Sequence, residues 1–234
     1  QKDYLPESIP FKGRSFPYIL NITTGCPWNK LIRKSLIDEY QLQFMPLHRS
    51  NDVYFIFMAL ALAEKITVVQ EVFVNYRQSG SSLQANNVRS PWDWYEALKA
   101  LKLKFEELQI YEELRSSFRN LAFGVGIYNL CSLKSGEAFC KVYERMKQEF
   151  FEEFDLTDFK EEECYSYNSK KYEIYRNMMQ CTAGEYLFLE VQKLKQEKSY
   201  WVTRAKNAEK ENRNKNPKER LSSLARKVMR KFGR

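Results

Sequence analysis

The stretch from Val53 to Ala63 contains no charged residue and is the most apolar run in the chain. A helix that is apolar on every face can only sit inside a core, so this run predicts a helix buried on all sides and obliges the rest of the chain to wrap it. It is too short for a membrane span, which needs ~20 apolar residues. The 234 residues, 44% hydrophobic and 15% aromatic, supply enough apolar surface for such a core, in one or two domains. Charged residues at 29% are ordinary, and the composition excludes a globally disordered chain. Asp52 stands at the lip of the run. A carboxylate at a helix entrance is a cap, a reactive group, or both, because the free N–H groups and the positive dipole end there favour its ionised form.

Around this run the chain reads as short elements. Residues 1–18 are broken by Pro6, Pro10, Gly13 and Pro17 and read as loop. Ile19–Thr23 fits a strand, and Trp28–Tyr40 a moderately amphipathic helix. After the apolar run, Ile66–Val69 and Glu71–Tyr76 are rich in Val, Ile, Phe and Tyr and predict two strands. Arg77 and a Gly/Ser loop, Ser79 to Ser82, follow.

Three pieces in this order, Trp28-Asn29-Lys30-Leu31-Ile32-Arg33-Lys34-Ser35, Asn51-Asp52 and Tyr76-Arg77 with its serine loop, resemble the C-terminal half of the catalytic domain of family 2 glycosyltransferases. The resemblance covers roughly Thr23 to Asn87. It implies an α/β, GT-A-type N-terminal third and an inverting transfer from a nucleotide-sugar to a saccharide or lipid-linked acceptor, in the synthesis of cell-surface polysaccharide or glycan. Asp52 would be the catalytic base that takes the acceptor hydroxyl's proton. Trp28, Asn29, Lys30 and Asn51 would line the acceptor side, while Arg77 and Ser81 would assist the pyrophosphate leaving group. The ordinary alternatives stay open: a helix cap for Asp52, a buried Trp and a helix start for Trp28 to Lys30, and loop punctuation for Ser79 to Ser82. In the family a Glu precedes the base, whereas Asn51 stands here.

The aspartates are Asp3, Asp38, Asp52, Asp93, Asp155 and Asp158, so the chain has no Asp-x-Asp. It also lacks a glycine-rich strand-to-helix turn for phosphates. The resemblance therefore implies that the donor site, with Mg or Mn on its Asp-x-Asp, lies upstream, and that this stretch alone does not turn over. The first residue, Gln1, fits a chain cut from a longer protein. Five cysteines without C-x-x-C spacing and a single His48 predict no metal ligand set in this chain, and reduced thiols in a cytoplasmic setting. His48 either lines the acceptor side or sits in a surface loop.

From Ser90 onward the pattern is helical. Trp94, Leu98, Leu101, Phe105 and Leu108 share one face, as do Leu114, Phe118, Leu121, Val125 and Tyr128, then Phe139, Val142, Tyr143, Met146 and Phe150. Lys170 to Cys181 reads as another helix. The expected organisation is therefore residues 1–89 as the glycosyltransferase-like part, 90–183 as a helical bundle, and 184–234 as a long helix with a tail.

In that last part Leu187, Val191, Leu194, Lys198, Trp201, Ala205, Ala208 and Asn212 alternate four- and three-residue steps, a heptad seam. It predicts either a homodimeric coiled coil through Leu187–Asn212 or one amphipathic helix docked on the bundle. Leu189 to Arg234 carries 15 Lys/Arg against 5 Asp/Glu, or +10, so the remainder of this +8 chain sums to −2. Within the tail, Leu221, Leu224, Val228 and Phe232 form an apolar stripe flanked by Arg220, Lys227, Arg230 and Lys231. Such a helix suits an anionic membrane surface and a peripheral place at the inner membrane face. Nucleic acid fits less well, because phosphate gives an apolar stripe nothing to bury against. The rival reading of the whole chain is a non-catalytic helical interaction module with a membrane- or nucleic-acid-binding basic tail.

Overall fold

The computed structural model describes residues 5–69, 71–75, 90–164 and 170–214. Helix dominates: among the described residues 61% are helical and there is no sheet. This overturns the α/β expectation for the N-terminal third: no GT-A sheet is present among the described residues. The only strand-type pairing there is one antiparallel bridge, in which Phe11 and Ile66 exchange N–H···O bonds of 3.0 and 2.7 Å. Beyond Ile66 the described residues of the segments predicted as strands lack a partner: Val68, Val69, Val72, Phe73 and Val74 are exposed, with no neighbouring strand among the described residues to take their backbone groups. Ile19–Thr23 is a turn whose Ile19 and Leu20 are fully buried, the Leu20 amide donating to Ser117 Oγ at 2.9 Å.

The first helix, α1, spans only Lys34–Glu39. The sequence places its start at Trp28, but Lys30 closes a turn on the Pro27 carbonyl and Arg33 is extended at the N-cap, leaving Leu31 in solvent. The apolar run forms α2, Asn51–Leu62. Val53, Phe55–Ala59, Ala61 and Leu62 are buried, which is why this helix is apolar on all faces. The chain crosses the far end of α2 at Gly13, whose amide donates to Ala63 O at 2.8 Å.

α2 packs on α3 (Asp93–Glu107), and α3 on α4 (Tyr111–Cys131). Trp94, Leu98, Leu101 and Phe105 are the buried seam of α3. The face predicted for α4 is right at Leu114, Phe118 and Leu121, then drifts, because Phe123 turns toward Phe159 and Tyr175 while Tyr128 is exposed. α5 (Gly136–Arg145) starts at Ser135, whose Oγ accepts from the Ala138 amide, and runs into a π-helical turn, Met146–Phe150, and a short α6, Phe151–Glu153. That widened turn puts Phe150 and Phe151 in successive buried positions, with Phe150 edge-on to Trp94 at 5.5 Å and to Phe154 at 4.9 Å. α7 (Lys170–Gln180) ends against the Tyr143 hydroxyl and the Lys147 ammonium, which donate to the Cys181 carbonyl at 2.9 and 2.8 Å.

Packing divides the chain into two compact units, Gln1–Ala183 and Gly184–Arg234. In the second unit, α8 runs from Ala183 to Asn214 as one 32-residue helix.

Candidate functional site

The entrance of α2 is shaped by a left-handed residue. Ser50, at φ 55°, turns the chain into the helix without a side-chain cap of its own. The amides of Asp52 and Val53 in the first turn favour the ionised form of the Asp52 carboxylate. Burial outweighs them and raises the Asp52 pKa above the ordinary 3.8. Asp52 is thus an ionisable group whose proton is held more firmly than usual, which makes its carboxylate a stronger base.

Lys30 reaches the same place from the loop before α1. Its ammonium donates to Thr24 O at 2.6 Å, Cys26 O at 2.9 Å and Asn29 Oδ1 at 2.8 Å. All three donors are therefore spent, on a half-buried cation. Burial lowers its pKa to about 8, against the pull of Cys26 and Asp52, which favour the charged form. Lys30 in turn favours ionised Asp52. The two groups interact through space, with the lysine anchored on carbonyls rather than on the carboxylate.

Gly25 permits this approach. A Cβ there would lie 3.3 Å from the Phe57 ring, so the 24–26 loop rests directly on α2. Asn51 is exposed, and its carbonyl accepts from the Met45 amide at 3.0 Å. Phe44 stacks on Phe55 at 4.4 Å and 14°, leaving half its ring surface in solvent. Trp28 is 47% exposed, which corrects its reading as a buried residue. His48 is exposed as well.

Of the residues singled out in the sequence, Lys30 and Asp52 come together, with Asn29 as a direct partner of Lys30 and Asn51 beside Asp52 in the chain. Arg77 and Ser81 lie outside the described residues, as do Arg220, Leu221, Leu224, Lys227, Val228, Arg230, Lys231 and Phe232. Sequence reasoning missed Cys26, which it read only as one of five reduced thiols, and the buried Arg49 just before the α2 entrance. The Arg49 amide donates to Asp93 Oδ2 at 2.9 Å, tying the start of α3 to the turn that presents Asp52. No local spacing could reveal a contact across that distance in sequence.

Asp52 is half-buried. Two depressions among the described residues lie elsewhere, one along α8 by Tyr200, Arg204 and Ala208, the other between Tyr95, Arg145 and Glu153. Among the described residues no cluster of three or more His, Cys, Asp or Glu is placed to hold a metal ion, and no helix is long and apolar enough to cross a membrane. Compared with known proteins, the chain matches no family model, no curated protein and no solved structure.

Proposed function

We propose that Asp52 is the general base of a glycosyl transfer from a nucleotide-sugar, with Lys30 setting its charge. What supports this reading is one juxtaposition: two separate pieces of the glycosyltransferase-like pattern, Trp28–Ser35 and Asn51-Asp52, supply a cation and a partly buried carboxylate that sense each other. In the step, an acceptor hydroxyl gives its proton to the Asp52 carboxylate as its oxygen bonds to the anomeric carbon. The bond from that carbon to the diphosphate oxygen breaks, the nucleoside diphosphate leaves with the electron pair, and the configuration inverts. The raised pKa of Asp52 suits it to the role, since a base performs best when its pKa approaches the working pH. Exposed Trp28 offers an aromatic face for a sugar acceptor on the same loop as Lys30.

A family 2-type donor carries Mg or Mn on its diphosphate. The described residues do not fit that metal, so no step here runs through it, and the reading gives this chain acceptor activation alone. The acceptor class is a saccharide or lipid-linked glycan at the cytoplasmic face of a membrane, with the basic stripe of residues 220–232 as the surface contact.

The test is transfer by the protein together with the upstream donor-binding half that the resemblance implies, from a panel of nucleotide-sugars, with and without Mg or Mn, to saccharide and lipid-linked acceptors. Asp52→Asn should reduce turnover by about 100-fold or more, the lower end of what a positioned base contributes, while leaving donor binding unchanged. Transfer by Asp52→Asn at near the wild-type rate would remove Asp52 from the role of base. A second reading, a non-catalytic interaction module, is favoured by the exposed apolar residues of α8. It gains if no donor binds the protein.

A further inference from the structure

We infer that α8 pairs with the α8 of a second copy of this chain as a parallel, in-register, two-stranded coiled coil. The inference rests on α8 alone and holds whether or not Asp52 is a catalytic base. Over its 32 residues the helix carries Leu187, Leu194, Trp201 and Ala208 at the d positions of a heptad, with Val191, Lys198, Ala205 and Asn212 at the a positions. The large apolar residues of this seam sit at solvent in the isolated chain: Leu194 is 63% and Trp201 60% exposed, and Leu187 and Val191 are exposed with them. Phe188, Leu189, Tyr200 and Val202 are exposed outside this seam, but only the seam residues recur at heptad spacing, and such a row leaves water against a partner of matching period.

Three features select the occupant. Val at a with Leu at d favours two strands in parallel. Lys198 and Asn212 both fall at a positions, where a polar residue fixes register and oligomer number at some cost in stability. The flanking charges also match a copy of the same helix in the same direction. In a parallel pair each g residue lies beside the next e residue of the partner. Glu190 then meets Lys195 of the second copy, Arg204 meets Glu209, and Glu197 meets the uncharged Val202, so no like charges face each other. Lys195, Arg204 and Glu209 are exposed and accessible for this pairing. In the single chain Arg204 lies over its own Trp201 ring at 5.3 Å, covering part of the seam that the second helix would cover instead.

The full chain in sedimentation equilibrium should show a reversible monomer–dimer mass transition. Arg204→Glu places like charges at two symmetric sites and should move the midpoint to about tenfold higher concentration. Glu209→Arg alone should do the same, and the two changes together should restore the wild-type midpoint, which separates pairing across the interface from lost contacts within α8. Leu194→Cys should give an oxidised dimer whose bridge joins Leu194→Cys to its own copy, identified by peptide mass spectrometry, since in-register d positions face each other. A monomer mass at every concentration, a higher oligomer, or a double charge swap that fails to restore the midpoint would each overturn the proposal.

Discussion

Burial acts on Asp52 and Lys30 in opposite directions, and the sign of each shift fixes how stability follows pH. The Asp52 carboxyl titrates above its ordinary 3.8, so the folded chain prefers it protonated; that contribution is full below 3.8 and is lost as pH rises through the folded value. Lys30 titrates at about 8 instead of 10.5. Its cost to the fold is present below about pH 8 and is relieved between about 8 and 10.5, where the unfolded chain binds the proton more tightly. In urea unfolding, Lys30 therefore makes the wild-type chain gain stability across that alkaline window, and Lys30→Gln should flatten the gain. The same substitution withdraws the positive charge that favours ionised Asp52, so the Asp52 pKa should rise further in a ¹³C-carboxyl NMR titration. An Asp52 pKa that stays put or falls would mean the two groups do not sense each other, and the proposed site would lose its electrostatic basis.

Two glycines show how the helices are held. Gly13 crosses the end of α2 so closely that a Cβ would lie 2.0 Å from Leu60 O, a backbone atom that cannot move without disturbing the helix. Gly126 on α4 would place its Cβ 2.9 Å from Met146 Cε and Phe150 Cζ, the ends of side chains that can give. Gly13→Ala should cost about 3 kcal/mol, the upper part of the overpacking range, and Gly126→Ala about 1 kcal/mol; equal losses in denaturant midpoints would contradict this account. The helices themselves were legible. The seams of α3 and α5 appear at helical spacing, and Trp94, Leu98, Phe105, Tyr143 and Phe150 are buried as that spacing implies. The strands were misread because Val, Ile and Phe mark what suits a sheet, not whether a partner edge exists; Val72 and Phe73 have the composition without the neighbour. The start of α1 was misplaced for another reason. Lys30 spends its ammonium on the Thr24 and Cys26 carbonyls, a local bond that competes with helix and that propensity does not register. In the site, Asp52 was readable from its place at the apolar run, whereas the contribution of Cys26 and Arg49 depends on how the loop and α3 fold back on α2.

Charge is divided unevenly along the molecule. Residues before Leu189 sum to −2 and those from Leu189 onward to +10, so the net positive charge lies in the second unit. Each Lys or Arg near an anionic bilayer contributes ~1 kcal/mol, and an apolar stripe adds the burial of its side chains in the interface. The sequence of residues 220–232 offers both, and dimerisation through α8 would present two such tails to one surface, multiplying the apparent affinity without a new contact. Co-sedimentation with vesicles containing phosphatidylserine should therefore be strong, should weaken but persist at high salt or with neutral lipid because the apolar stripe does not depend on charge, and should vanish after removal of residues 216–234. Double-stranded DNA supplies the charge without an apolar interface, so its binding should fall steeply and to completion with salt. Vesicle binding as salt-sensitive as DNA binding would leave the stripe without a role and would return the tail to the class of simple polyanion ligands. Persistence at high salt, lost when Leu224 and Phe232 are changed to Ser, would place the tail at a lipid surface, where the proposed acceptor is found.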